Sequence, residues 1–270
     1  MRRTLSGAIV RPAGKGMCMA AARGILALVL VVILAACGTD DPDTYVERPV
    51  EEIYNNAVNL LEAGERSLAV AEFEEVERQH PYSQWAKHAQ VMSAYASYLQ
   101  GDFDAAVASA SRFIESHPGN ENAVYAYYLI AQSYYERISD VERDQRMAEE
   151  SRDAFLELLR LFPDSPYSRD ATLKLELTLD HLAGKEMDIG RWYQRRGALI
   201  ASVNRFRTVI DDYQTTSHVP EALFRLVETY LSLGLVRQAR ESAAVLAHNY
   251  PGSIWYEDAW SLLAQHRLLP

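Results

Sequence analysis

The chain has 270 residues, 49% hydrophobic and 24% charged, with 27 lysines and arginines against 37 aspartates and glutamates. That composition can bury a sizeable core, and the net charge of −10 argues against nucleic acid, whose recognition needs a basic face. No stretch after residue 40 is apolar for long enough to cross a bilayer, and the chain's two cysteines are Cys18 and Cys37.

Residues 24–34, GILALVLVVIL, follow a basic segment and are too short for a comfortable transmembrane helix, which is the pattern of a secretory signal. The boundary that follows, Leu34-Ala35-Ala36-Cys37, resembles the bacterial lipobox. By that resemblance residues 1–36 are removed and Cys37 becomes an acylated N-terminus; the plain alternative is a small-residue cleavage site that happens to precede a cysteine. A mature lipoprotein carries several acyl chains, and two or more anchor a protein stably to a membrane. The leader takes Arg2, Arg3, Arg11, Lys15 and Arg23 with it, so 27 basic residues less five leave 22 against 37 acidic ones, a net charge of −15. Such a surface disfavours electrostatic docking on anionic lipid. Cleavage also leaves Cys37 alone, with no disulfide or thiolate metal site. Gly38 stands where the inner-membrane retention signal of enteric lipoproteins would place Asp, which favours the outer membrane. Residues 37–49 then form an anchor and an acidic, proline-containing tether, about 40 Å long if fully extended.

From residue 50 the pattern is helical. Phe103, Ala106, Val107, Ala110, Phe113 and Ile114 make one apolar stripe between Gly101 and Pro118. Gly64, Ala69, Phe73 and Pro81 repeat its spacing, as do Gly234, Ala239, Ala243 and Pro251. Closing turns fall at His80-Pro81, His117-Pro118, Phe162-Pro163, Tyr213-Gln214 and Tyr250-Pro251. Each is followed by a capping residue type (Ser83, Asn120, Ser165, Thr216, Ser253) and then by an alanine at a fixed offset: Ala89, Ala126, Ala171, Ala222 and Ala259. A small residue there lets the next helix approach closely. A period near 34 with these residues in fixed order resembles the tetratricopeptide repeat. The expectation is an all-α tetratricopeptide-repeat superhelix of five helix pairs, near 50–82, 83–119, 120–164, 165–215 and 216–252. A C-terminal capping helix over about 254–267 follows, with Trp255, Trp260, Leu262 and Leu263 covering the last open face.

Two insertions interrupt the period. The first, RISDVERDQRM from Arg137 to Met147, has no apolar period; the second, GKEMDIGRWYQRRG from Gly184 to Gly197, sets two aromatics among four positive charges. Insertions in a solenoid fall in loops or lengthened helices, often on the binding side. The first holds Arg143-Asp144-Gln145. The second leads into a Tyr193, Arg196-Gly197-Ala198, Ala201, Val203-Asn204-Arg205 run. With the lipobox, tether and five repeats, these stretches resemble the tetratricopeptide lipoproteins of the outer-membrane β-barrel assembly machine over essentially the whole mature chain.

That resemblance implies a non-catalytic scaffold on the periplasmic face of the outer membrane. Its C-terminal repeats (165–270) would hold the periplasmic domains of the barrel-forming insertase, and its N-terminal repeats (50–164) would receive unfolded outer-membrane proteins beside other assembly lipoproteins. Arg196, Asn204 and Arg205 are the expected partner-binding residues. A bracing role for Arg205 within its own helix, through Asp211 or Asp212, is the alternative. For the client surface, the usual inward positions of the first helices hold Tyr54, Tyr95, Tyr98, Tyr125, Tyr128 and Tyr135. Tyrosine offers apolar area and a hydroxyl at low entropic cost, although the same side chains could equally serve inter-helix packing.

Enzymatic chemistry finds little support. The seven histidines show no metal-binding spacing, and His80 and His117 recur at helix ends near the negative pole of the helix dipole. Glu74, Glu75, Glu77, Glu149 and Glu150 sit on polar helix faces. No nucleophile elbow or phosphate-binding loop is present, so no cofactor or metal is expected. The competing readings are a pilotin-like or Tol-associated repeat scaffold of the envelope and, from another class, a lipid-anchored cell-wall hydrolase.

Overall fold

Glycine and proline punctuation resolves into eleven α-helices in the computed structural model, which describes residues 47–268. The leader, Cys37 and the tether as far as residue 46 lie outside the described residues. Five pairs run in order: α1 (Val50–Glu62) with α2 (Arg66–Gln79), α3 (Gln84–Gln100) with α4 (Phe103–Ser116), α5 (Ala123–Tyr135) with α6 (Arg146–Leu161), α7 (Ser168–Arg195) with α8 (Leu199–Asp212), and α9 (Val219–Ser232) with α10 (Val236–Asn249). A single helix, α11 (Ile254–Gln265), closes the series. The first helices also pack on one another, α1 on α3, α3 on α5 and α5 on α7, so they share one side of the stack.

The core repeats with the sequence. Ala89, Ala126, Ala171, Ala222 and Ala259 are all buried, and each sits where a first helix meets the preceding pair. Against them each of the first four repeats places one fully buried phenylalanine: Phe73, Phe113, Phe155 and Phe206. Burying one such ring contributes about 1.5 to 3 kcal/mol. Within a pair, Gly101 ends α3 at φ 85°, and Gly197 makes the corresponding turn at φ 74°. Only glycine adopts that left-handed region without steric cost.

The insertions take two different forms. The first is a loop over residues 136–145, pinned by the Gln145 amide nitrogen, which lies 3.3, 3.1 and 2.9 Å from the carbonyls of Asp140, Val141 and Arg143. The second is helical almost throughout and stretches α7 to 28 residues. Gly184 and Gly190 are therefore close-contact positions inside a helix and not breaks in it. Lys185 Nζ donates to the carbonyls of Glu142 and Arg143 at 3.0 and 3.3 Å, so the two insertions bind each other.

Three expectations need correction. Ser83 and Ser253 cap α3 and α11 through their hydroxyls, but Asn120, Ser165 and Thr216 do not cap the helices they precede. In those three an extra turn intervenes, closed by Ala123, Ser168 and Val219 N–H groups donating back three residues. Arg48, placed in the tether by composition, is already docked: it pairs with Glu72 at 2.9 Å, and its carbonyl lies 2.7 Å from His80 Nε2. Trp260 does not cover the last face, since it is 45% exposed while Trp255 packs 5.5 Å from Phe224.

A Cβ on Gly190 would lie 2.4 Å from Phe206 Cε1, whereas one on Gly119 meets nothing within 4 Å. Gly190→Val should therefore lower the free energy of urea unfolding by about 3 kcal/mol, as expected for overpacking a tight core. Gly119→Ala should leave it unchanged within about 0.5 kcal/mol.

Candidate functional site

Where α3, α5 and α7 approach one another, their facing residues are tyrosines. Tyr95 of α3 lies 6.1 Å from Tyr125 of α5, and Tyr125 and Tyr128 stack 6.4 Å apart. Tyr167, at the start of α7, completes the ladder at 5.3 Å from Tyr125 and 4.9 Å from Tyr128. All four tyrosines are partly buried, so each keeps some of its surface in solvent. Burial and the neighbouring phenols hold the Tyr125 hydroxyl far above its ordinary pKa, and it stays neutral.

A polar network backs the ladder. Lys174 Nζ of α7 bonds Asp170 at 2.7 Å, Gln132 Oε1 at 2.6 Å and the Tyr128 hydroxyl at 3.0 Å, which uses all three ammonium protons. Its charge also lies 5.3 and 5.9 Å from the ring centroids of Tyr128 and Tyr135. Gln132 passes the network to the Tyr98 hydroxyl at 3.2 Å, which donates to Glu136 at 3.3 Å. Burial pulls the Lys174 pKa down, but the bonds to Asp170 and Tyr128 outweigh it and leave it raised. Burial raises the Asp170 pKa, and the bonds from Lys174 and Tyr128 turn the balance to a lowered one.

Five of the six tyrosines expected on the client surface thus belong to one connected face. Tyr54 does not: it packs 5.6 Å from Phe73 and 4.8 Å from Trp85 in the core between the first two repeats. Tyr135 packs edge-on against Phe155 at 6.1 Å, so most of its ring serves the helix pair. Tyr167 and Lys174 escaped the sequence reading. Tyr167 sits in a turn outside the first-helix register, and Lys174 looks like any surface lysine until Asp170 is seen one helical turn before it.

Between α7 and α9 the seam changes character. Arg191 pairs with Glu221 at 3.1 Å and Asp188 at 3.4 Å, Arg225 bridges Glu221 and Glu228 at 3.2 and 2.9 Å, and Gln194 donates to Thr229 at 3.1 Å. The family-like run lies on this half. Its residues separate by role: Gly197 makes the turn, Val203 is buried, and Tyr193, Ala201, Asn204 and Arg205 line one cavity of about 230 Å³ with Thr208. Arg205 Nη1 donates to both oxygens of Glu186 on α7, at 3.1 and 3.0 Å. The bracing partner is thus Glu186 of the neighbouring helix; Asp211 faces Arg207 instead, at 3.8 Å. The Glu186 side chain is 18% exposed and that of Arg205 42%, with Nε and Nη2 of Arg205 making no hydrogen bond among the described residues. Asn204 is exposed, and the Arg196 guanidinium lies 4.4 Å from the centroid of the exposed Trp192 ring. No group of three or more metal-ligating side chains occurs among the described residues.

Residues 46–246 match the YfiO family, described as an outer membrane lipoprotein. The chain is 45% identical over 249 residues to the outer membrane protein assembly factor BamD of Caulobacter vibrioides, covering 91% of this chain and 82% of that one. Against the protein of the same name from Rickettsia prowazekii it is 41% identical over 240 residues, covering 89% and 96%. Among solved structures, a thermophilic tetratricopeptide-repeat protein of Thermus thermophilus is similar over 82% of this chain and 100% of that one, at 18% identity and a TM-score of 0.37.

The Lys174 network sets a stability expectation. Lys174→Met leaves Asp170, Gln132 and the Tyr128 hydroxyl short of a donor and should lower the unfolding free energy by about 2 kcal/mol at neutral pH. Because the folded Asp170 pKa is lowered, its contribution is present above the ordinary value of about 3.9 and is lost as pH falls through the folded value. The folded Lys174 pKa is raised, so its contribution is present below about 10.4 and is lost as pH rises through the folded value. Urea unfolding of the variant should therefore show shallower acid and alkaline limbs than the unmodified chain.

Proposed function

The chain belongs to the BamD family of outer membrane protein assembly factors, and on that premise we propose that it is a non-catalytic, lipid-anchored scaffold of the assembly complex. In this reading Cys37 carries the acyl chains that hold it to the outer membrane, and the acidic tether lets repeats 1–5 work below the periplasmic surface. The C-terminal half binds the periplasmic domains of the barrel-forming insertase. The tyrosine face of repeats 2 to 4 receives extended segments of unfolded barrel proteins, and other assembly lipoproteins complete the complex.

The observation that carries the partner assignment is the state of Arg205. Glu186 fixes one edge of the guanidinium, while the other stays half-exposed beside Asn204 with its donors unspent. A planar fork held in place in advance can take a partner's carboxylate bidentately with little further loss of freedom. The tyrosine ladder supports the client reading because its tyrosines are fixed by their neighbours yet keep some of their surface in solvent. Such a surface accepts aromatic and aliphatic side chains without demanding one sequence.

A detergent-solubilised pulldown of the affinity-tagged full chain, with Cys37→Ala as the unanchored control, tests the whole reading. Recovery of a large outer-membrane barrel protein with repeated periplasmic domains is expected; recovery of a pilus secretin or of Tol components in its place would refute it. Arg205→Glu should cut recovery of the barrel protein about tenfold. Its melting temperature should fall by a few degrees, since the introduced carboxylate faces Glu186, which is only 18% exposed, so Arg205→Gln, which removes the charge without that repulsion, should cut recovery as well at a smaller loss of stability. For the client face, Tyr95→Ala and Tyr128→Ala should weaken binding of a C-terminal peptide from an outer-membrane barrel protein about tenfold each. Loss of stability with unchanged peptide binding would reject the face as a client site.

A further inference from the structure

The last helix interface of the stack is under-filled, and the repeats themselves show by what. Three residues before the first residue of each closing turn, repeats 2, 3 and 4 carry Ile114, Leu159 and Ile210, which pack into the hydrophobic core clusters. Repeat 1 has Glu77 there, and its carboxylate accepts from Gln90 of the following first helix at 2.6 Å, which fixes the direction in which this position points. In repeat 5 the residue is Ala247, and the helix it faces, α11, has Trp260 at the place of Gln90. One turn earlier, where repeats 1, 3 and 4 bury Phe73, Phe155 and Phe206, repeat 5 has Ala243. A cavity of about 280 Å³ results, with Ala243, Ala247 and Ala259 as its floor, Tyr256 and Trp260 as its wall, and Arg240 at its rim.

Arg240 gives the cavity a polar edge. Its Nε donates to the Leu268 carbonyl at 2.9 Å, and the guanidinium makes no ion pair among the described residues although the side chain is exposed. An apolar hole with an unneutralised cation at its mouth selects for an apolar group that carries a negative charge close by. We propose that this socket, independent of the Arg205 surface, docks a partner protein by one large side chain of leucine or phenylalanine size, presented beside a carboxylate that pairs with Arg240. The inserted side chain takes the place that Ile114, Leu159 and Ile210 fill in the inner interfaces, and the wall of Trp260 becomes buried in the complex. Such a single buried anchor ringed by weaker contacts is the usual form of an interface hot spot.

The test uses the full chain in lipid nanodiscs, with 3-phenylpropionate as the smallest probe that joins the two groups. Its amide lacks the charge, and propionate lacks the ring. Methyl NMR of Ala243, Ala247 and Ala259 should show saturable shifts with 3-phenylpropionate, about tenfold weaker binding of the amide and none of propionate. Arg240→Gln should bring acid and amide to the same affinity. Ala247→Leu should abolish both and raise the melting temperature by a few degrees, because it fills the hole as Leu159 does in repeat 3. Equal binding of acid and amide to the unmodified chain, or shifts that survive Ala247→Leu, would overturn the proposal. If the leucine fails to fit and lowers stability, the surface variant Arg240→Gln still decides, since an unchanged preference for the acid would refute the role of Arg240.

Discussion

Everything in this stack depends on how closely one helix pair can approach the next, and that distance is set by an alanine against a phenylalanine. A larger residue at Ala89, Ala126, Ala171 or Ala222 would push a first helix away from the preceding pair and expose the ring that each of the first four repeats buries. Each interface touches only its neighbours, so the same small-against-large solution has to recur at every step. At the fifth repeat the alanine persists as Ala259 while the large partners shrink to Ala243 and Ala247, and the rule then makes a socket where it elsewhere makes a core.

Close approach also decides which side chains meet along the first helices. Between α3, α5 and α7 they are phenols, stacked or tilted against one another beside a lysine whose protons are all engaged. Between α7 and α9 Arg191 meets Glu221 at 3.1 Å, and Arg225 of α9 holds Glu221 and Glu228 of its own helix at 3.2 and 2.9 Å. The two seams suit different partners. Partly buried rings accept varied apolar chains with little directional demand, whereas fixed guanidinium and carboxylate groups discriminate through geometry and charge.

Much of this was legible in the sequence because the repeat spacing is a direct record of packing. Turn positions, the alanine offset and the aromatic position each correspond to one physical contact, so the helix pairs follow from them. Legibility failed where a residue's role depends on something distant in the chain. Tyr167 and Lys174 gain meaning from Tyr128, some 40 residues earlier, and Glu186 from Arg205 across the turn between α7 and α8. Capping failed at Asn120, Ser165 and Thr216 because residue type tells that a turn is near but not how many turns precede the helix. Gly184 and Gly190 look like punctuation, yet they are places where His218 and Phe206 come close to a continuous helix.

That continuity gives α7 a role no other helix has. Its 28 residues span roughly 42 Å, twice the reach of a typical partner in the stack. Near its N-terminus it contributes Asp170 and Lys174 to the phenolic seam, and near its C-terminus Glu186, Arg191 and Gln194 to the ionic one. The loop of the first insertion, tied to it by Lys185, braces the middle of its length. Without a break between the two ends, Glu186, which holds Arg205, and Lys174, which sits beneath the tyrosine ladder, belong to one continuous helix. The lengthening of this one helix is therefore the structural feature that joins the phenolic seam to the ionic one.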